Sequence, residues 1–245
     1  MTGRKILGII KLVVFAILTV PFYVYSQIVD INKGTDKLKG AALMRRWCRV
    51  VVPLLGFAIK REGQLPEGGP YLYVCNHRSS LDPLILLTDV LAYPVSKADV
   101  GTYPMVGKGA QTVGVIFVKK TDRSSRQATK ETIHASLKEG KSVLIFPEGR
   151  THAHETTVTF QKGAFEQAAD LNVPVVPIAM DYKFKSDYWD HSDTMVDHYF
   201  KNLAKWKTPV KIKYGSPIQS DNSFALLRQS QSWINDGITE LRAQW

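Results

Sequence analysis

Along the chain, short apolar runs that end in polar, glycine- or proline-containing segments alternate with stretches whose apolar residues recur at three- and four-residue spacing. The first pattern predicts strands near Phe57–Arg61, Tyr71–Cys75, Val95–Ala98, Val115–Val118, Val143–Phe146, Val175–Met180 and Val210–Tyr214. The second predicts helices near Pro83–Val90, Met105–Gln111, Arg123–Glu139, Lys162–Ala169, Met195–Lys205 and Phe224–Arg242. Alternation with short connections predicts an α/β fold: a mixed, largely parallel central sheet covered by helices. Val173-Pro174-Val175-Val176-Pro177-Ile178 sets two prolines around a short apolar run, a composition that favours a strand end or edge. Between Phe184 and Trp206 aromatic residues (Tyr188, Trp189, Tyr199, Phe200) and acids (Asp187, Asp190, Asp193, Asp197) interleave without a clear period. An irregular insertion followed by a helix is all that can be expected there.

Ahead of the first strand the pattern changes. Ile6 to Val29 is almost continuously apolar behind Arg4 and Lys5, broken by Lys11 and bent by Pro21. As a helix this run would measure roughly 36 Å, enough to reach across a bilayer core. It can span, or insert into one leaflet together with the next segment. A cleaved signal peptide, for which Val24-Tyr25-Ser26 is a passable site, is disfavoured by Lys11 inside the apolar region. The next segment, Ala41 to Ile59, sets Arg45, Arg46 and Arg49 against Leu43, Met44, Trp47, Val50, Val51 and Leu54. That spacing predicts a basic amphipathic helix in the headgroup plane, with an ordinary surface helix as the competing reading. The chain thus divides into an anchoring part, residues 1–59, and a globular part, residues 60–245.

Charge sharpens this picture. The net charge is +10, and Lys33 to Arg61 holds eight basic residues against Asp36 alone, a local +7. Beside an apolar helix, such a stripe points to an anionic bilayer surface rather than to nucleic acid. Cys48 and Cys75 are the only cysteines. They make neither a disulfide framework nor a zinc pattern, and a reducing compartment fits best. Basic residues flank both ends of the apolar run, so the positive-inside rule leaves orientation open.

Candidate chemistry collects where strands end. Asn76-His77-Arg78-Ser79-Ser80-Leu81-Asp82-Pro83 follows the second predicted strand and opens a helix, the place where α/β proteins keep their sites. A carboxylate five residues after an imidazole can hold one ring nitrogen protonated and leave the other free to take a proton from a hydroxyl. Asp82 is expected in the first helical turn, where the macrodipole favours an anion, and Ser79 or Ser80 as the cap. In isolation, a loop histidine followed by a helix-start aspartate explains the same run. After the fifth strand comes Pro147-Glu148-Gly149-Arg150-Thr151, where glycine lets backbone approach a ligand and arginine offers a phosphate fork. After the fourth come Lys119, Lys120, Arg123 and Arg126, with Lys119 and Arg126 equally explained as solvated charges.

Four runs, in order, resemble the motifs of the lysophospholipid acyltransferase family, whose best-known bacterial members are 1-acyl-glycerol-3-phosphate acyltransferases. Asn76, His77 and Asp82 resemble its Asn-His-x4-Asp motif. Gly114-Val115-Ile116-Phe117-Val118-Lys119-Lys120 is similar to its Gly-x-Ile-Phe-(Ile/Val)-x-Arg run, and Phe146-Pro147-Glu148-Gly149-Arg150-Thr151 to its Phe-Pro-Glu-Gly-Thr-Arg run. Val173 to Pro177 resembles the fourth, and Ser96-Lys97-Ala98-Asp99 and Pro104-Met105-Val106-Gly107 resemble the region linking the first two. The likeness runs from about Tyr71 to Tyr182. Two departures stand out: Lys120 replaces the usual Arg, for which Arg123 is a substitute, and Arg150-Thr151 reverses the usual Thr-Arg.

The resemblance implies a glycerol-3-phosphate acyltransferase-like fold and transfer of a fatty acyl group to the sn-2 hydroxyl of lysophosphatidic acid, giving phosphatidic acid. The donor would be an acyl thioester of coenzyme A or acyl-carrier protein, used as co-substrate, with no cofactor and no metal. His77 would act as general base and Asp82 as its orienter. Lys97 or loop amides would stabilise the oxyanion, Lys120, Arg123 and Arg150 would grip the phosphate, and Glu148 and Gly149 would shape the pocket. The expected location is the membrane, with the catalytic domain on its cytoplasmic face. Rival readings are the same chemistry on glycerol-3-phosphate or another lysolipid, and a lipid hydrolase. The chain has no Gly-x-Ser-x-Gly elbow, so a hydrolase would need Cys75 as nucleophile. A non-catalytic membrane protein is disfavoured by the intact His77–Asp82 spacing.

Overall fold

The computed structural model describes residues 3–28, 38–102, 106–118 and 123–245. Two helices come first, α1 (Gly3–Ile28) and α2 (Lys39–Leu54). The strands are β1 (Phe57–Glu62), β2 (Leu72–Cys75), β3 (Tyr93–Lys97), β4 (Ile116–Val118), β5 (Val143–Ile145), β6 (Val175–Tyr182) and β7 (Thr208–Tyr214). Among them run α3 (Asp82–Leu86), α4 (Val106–Thr112), α5 (Arg123–Lys138), α6 (Gly163–Asp170) and α7 (Met195–Leu203), and α8 (Ser223–Ala243) follows. Each strand and helix expected beyond Gly56 is found, with ends shifted by a few residues. Val29, Lys33, Lys37, Met105, Lys119 and Lys120, which figured in the sequence reading, lie outside the described residues.

The sheet runs β1-β7-β6-β2-β5-β3-β4, and its pairs are parallel except for antiparallel β6 and β7. Side chains alternate across it with period two. β2 sends Tyr73 and Cys75 into one core and Leu72 and Val74 into the other; β6 does the same with Val176, Ile178 and Met180 against Val175 and Ala179. The first core is closed by Met44, Cys48, Val51 and Val52 of α2 and Leu203 of α7. The second takes Ile133 and Leu137 from α5, Phe165 from α6 and Leu226, Ile234 and Ile238 from α8. Burial on both faces explains why these strands read as apolar runs.

Two expectations are corrected. Pro177 lies inside β6, a central strand, rather than at an edge. Val175 N–H on that side of β6 bonds Ile218 O, so position 177 faces the same way, just past the last β6–β7 pair, Ile178 with Tyr214. The missing donor therefore leaves no rung of the β7 ladder broken. The amphipathic helix does not continue to Ile59: α2 ends at Leu54, and Gly56, at φ +90°, turns the chain into β1. A Cβ at Gly56 would stand 2.6 Å from Trp206 O, so only glycine fits that turn.

α1 is not a free-standing rod. It lies against α2, α4 and α7. Phe15 and Phe22 pack on Trp47, and Lys11 turns inward to donate to Leu55 O (2.7 Å) and Lys205 O (2.6 Å). Its other side leaves Ile6, Ile10, Val13, Ile17, Val24 and Ile28 exposed.

The topology decides where chemistry can gather. β2 is flanked by β6 and β5, both parallel to it, and β3 is parallel to β5. Their carboxyl ends therefore open on one edge of the sheet, which brings together loops distant in sequence.

Candidate active site

His77 follows β2 by two residues, at the centre of that edge. Its Nδ1 is 2.8 Å from Asp82 Oδ2, and its ring stacks on Phe146, from the end of β5, with centroids 4.2 Å apart. The imidazole side chain is 17% exposed, and among the described residues Nε2 has no hydrogen-bond partner. With the Nδ1 proton directed to Asp82, the Nε2 lone pair is left free to accept.

Asp82 is fully buried, a costly place for a carboxylate unless its oxygens are satisfied. They are. Oδ2 also accepts the N–H groups of Arg78 (2.6 Å) and Ser79 (2.8 Å), and Oδ1 accepts the Tyr182 hydroxyl (2.6 Å). Burial, then the neighbouring Asp82 charge, pushes the Tyr182 phenol well above its ordinary pKa, so it stays a donor. Asp82 stands in the first turn of α3, as expected, but the expected serine cap is corrected. α3 is a single turn whose N-cap, Leu81, has no side-chain cap. Ser79 Oγ accepts the Leu81 N–H and lies 2.8 Å from His198 Nε2 instead. The anion is held by four direct donors, which outweigh the weak dipole of five residues.

The loop after β5 is built around Glu148. Gly149, at φ +68°, closes a turn by donating to Phe146 O (3.0 Å) and faces the Glu148 side chain inward. Oε2 accepts the backbone N–H of His77 (2.6 Å), while Oε1 accepts from His152 Nε2 (2.7 Å) and Val158 N–H (3.1 Å). Both carboxylate oxygens are thus engaged by protein donors, one of them the backbone of His77 itself.

Arg78 turns away from the opening and is completely buried. Its guanidinium donates to the carbonyls of His154 and Glu155, and lies over the Tyr188 ring 5.2 Å from its centroid. Trp189 N–H returns a bond to Arg78 O at 2.8 Å. Residues 184–206, unassigned from sequence, therefore back the loop that carries His77 and Asp82. In the same segment burial pulls buried His198 down to about pKa 4, so it meets Ser79 as a neutral ring.

The remaining candidates divide. Lys97 ends β3 and Arg150 follows Gly149; both are exposed, and their charges reach the ring of His191 in the 184–206 segment. Lys120 lies outside the described residues, and of Arg123 only the backbone, at the start of α5, is described. Cys75 is buried, and desolvation, then Asp82 and Glu148, drives its thiol well above the usual range. A buried thiol kept protonated is a poor nucleophile, which removes the structural basis for a Cys75-dependent hydrolase.

Sequence reasoning missed Arg78, His152, Tyr182, His191 and His198. Tyr182 continues the alternation of Val176, Ile178 and Met180, so its face was readable; its contact with Asp82, a hundred residues away, was not. The others carry no local signal.

A family model described as Acyltransferase matches residues 57–181. The lyso-ornithine lipid O-acyltransferase of Pseudomonas aeruginosa is 32% identical over 205 residues, 78% of this chain and 76% of that protein. The chloroplastic 1-acyl-sn-glycerol-3-phosphate acyltransferase of Brassica napus is 37% identical over 56% of this chain and 41% of its own length. For the human 1-acyl-sn-glycerol-3-phosphate acyltransferase alpha the figures are 32%, 52% and 47%. The chain thus spans three quarters of the Pseudomonas relative but under half of the plant and human ones. The crystal structure of the 1-acyl-sn-glycerophosphate acyltransferase of Thermotoga maritima superposes with a TM-score of 0.71 over 99% of both chains at 18% identity, a likeness of fold.

Proposed function

The chain belongs to the acyltransferase family, and from that premise we propose that it moves a fatty acyl group from an acyl thioester to the sn-2 hydroxyl of lysophosphatidic acid, giving phosphatidic acid. The observation that carries this is His77, held through Nδ1 by a fully satisfied buried Asp82 while Nε2 stands open. In this reading Nε2 removes the proton from the acceptor hydroxyl as its oxygen attacks the thioester carbonyl. Asp82 stabilises the imidazolium that forms, and the thiolate of coenzyme A or acyl-carrier protein leaves, recovering the proton from His77. Lys97 or loop amides stabilise the oxyanion, and Arg150, with Lys120 and Arg123, meets the phosphate. Glu148 and Gly149 act by fixing the loops. Neither a metal nor a cofactor is required, because the thioester is already activated.

A second acceptor has a specific observation in its favour. The relative covered over three quarters of its length is named for a lyso-ornithine lipid, whose ornithine carries no phosphate. Purified protein given labelled acyl-CoA or acyl-carrier protein and a panel of lysophosphatidate, glycerol-3-phosphate and lyso-ornithine lipid separates these readings by product. Arg150→Ala is expected to raise the KM for lysophosphatidate about tenfold or more, since a hydrogen bond to a charged group is worth about 1.5–3 kcal/mol. The thioester KM should move much less; an effect confined to the donor would place Arg150 on the other substrate.

Membrane association belongs to the same proposal. α1 is apolar enough to span, with mean hydropathy 2.3 over its most apolar window. It is nevertheless held against the body from Lys11 through Phe22, which favours insertion of its exposed side into one leaflet. Residues 1–59 would then anchor and 60–245 catalyse, with α2 serving both: core on one side, exposed Arg46 and Arg49 on the other. The cytoplasmic face is proposed, where anionic lipid meets the basic stretch. Deleting α1 would also uncover Trp47 and the core beneath it, so the informative variant replaces Ile10, Val13 and Ile17 with Asp. Vesicle binding should fall at least about tenfold, each buried aliphatic side chain being worth roughly 1.5–3 kcal/mol, with an unchanged Tm. Undiminished binding would remove α1 from the membrane contact.

A further inference from the structure

His191 stands beside the loop after β5, against Thr151, on the segment that sequence left unassigned. Its backbone is left-handed, φ +67°, its exposed ring lies 4.2 Å from Trp189, and its Nε2 is 3.1 Å from Thr151 Oγ1. Trp189 is tied to Arg78 O and Thr151 is buried, so the ring is held from both sides. A left-handed backbone at a residue other than glycine is unfavourable and is kept where the surroundings impose it. Thr151 occupies the position at which the motif it resembles has arginine. Here the hydroxyl of Thr151 meets an imidazole brought in from forty residues downstream.

We propose that His191 is a binding and specificity residue for the acceptor headgroup: with Thr151 it takes the place of the displaced arginine, and with Arg150 it grips an anionic group through a cation that titrates. The inference rests on the acyl-transfer reading above and adds a residue outside the matched family region. Among the described residues Nδ1 has no hydrogen-bond partner, so a protonated ring has an N–H left for the ligand.

The electrostatics fit this role. Desolvation first, then Lys97 and Arg150, and more weakly His77, hold His191 below its ordinary pKa of 6.5, while Asp190 on its own loop opposes them. In the free site the ring is neutral at pH 7. An anion arriving among these cations reverses the balance and raises the pKa, so acceptor binding takes up a proton. The binding contribution of a group whose pKa rises on complexation is complete below its free-state pKa and disappears as pH passes its bound-state pKa. His191 should therefore strengthen acceptor binding on the acid side of neutrality and contribute little on the alkaline side.

The test compares the full-length protein with His191→Asn, chosen because asparagine tolerates a left-handed backbone. Acceptor KM is measured on vesicles doped with lysophosphatidate, at saturating acyl thioester, from pH 5.5 to 8.5. At pH 6 the variant is expected to raise acceptor KM about tenfold, at pH 8 about twofold or less, with the thioester KM and kcat held within about twofold. Taking the ratio of variant to wild type removes the pH effects common to both proteins. A ratio that is flat with pH, equal to one throughout, or seen in the donor KM overturns the proposal. A second measurement needs no turnover: the imidazole NMR signal missing from His191→Asn should titrate below 6.5 and move to higher pH on adding glycerol 3-phosphate. An unmoved signal also overturns the proposal. Failure of wild-type protein to acylate lysophosphatidate, with the NMR shift present, would instead count against the acyl-acceptor reading alone.

Discussion

His77→Ala is expected to lower acyl transfer by about 10²–10⁴-fold while leaving the melting temperature near that of the wild type. The magnitude is that of removing a positioned general base. The stability expectation follows from the site: the ring is partly exposed, and its one hydrogen bond goes to an Asp82 that keeps three other donors after the ring is gone. Asp82→Asn should also cost orders of magnitude in kcat, for a different reason. An amide at position 82 carries no charge to stabilise the imidazolium, and where its NH₂ rather than its oxygen meets the His77 ring the tautomer is lost as well. Tyr182→Phe removes a single donor and should reduce kcat far less. Turnover is measured on lysophosphatidate vesicles with thermal unfolding in parallel. Near-normal turnover by folded His77→Ala would remove the imidazole from the mechanism.

Glu148→Ala is expected to damage both fold and rate. The carboxylate is the shared acceptor for His77 N–H, His152 Nε2 and Val158 N–H, and it is buried. Truncation leaves those donors unpaired, and each unsatisfied buried group costs about 1–3 kcal/mol. A lower Tm should therefore accompany the loss of activity. The His77 backbone would also lose the bond that sets its place beside Phe146, and displacement of a reacting group by about 1 Å can cost about 10²-fold in rate. A positioning role predicts that kcat falls while acceptor KM stays close to normal. Should KM rise at unchanged Tm and kcat, Glu148 would instead be contacting the substrate.

These two predictions differ in how far each could be seen in the sequence. The pairing of His77 with Asp82 was legible because one short loop joins His77 to the start of α3, and five residues of separation suffice to bring them into contact. Glu148 was legible as a residue at a strand end, but not as the acceptor for His77 N–H. That contact exists because β5 lies beside β2 in parallel register, Val74 opposite Ile145.

The sequence by itself determined the order and type of the elements, and with them the fold class. Periods of two and of three to four residues are local consequences of backbone geometry and of which face is buried. It also determined that the strand ends carry polar, glycine-containing loops. Tertiary structure alone decided which of those loops meet. It turned Arg78 and Glu148 inward, sealed Cys75 in the core, set Tyr182 on Asp82, and laid residues 184–206 behind the His77 loop with His191 on Thr151. It also folded α1 along the body, with Lys11 inside and its apolar side outward. The physical reason is the same in each case: an unpaired buried polar group is too costly to keep, so its partner is whichever group the strand order brings within about 3 Å, and strand order is not written in any local pattern.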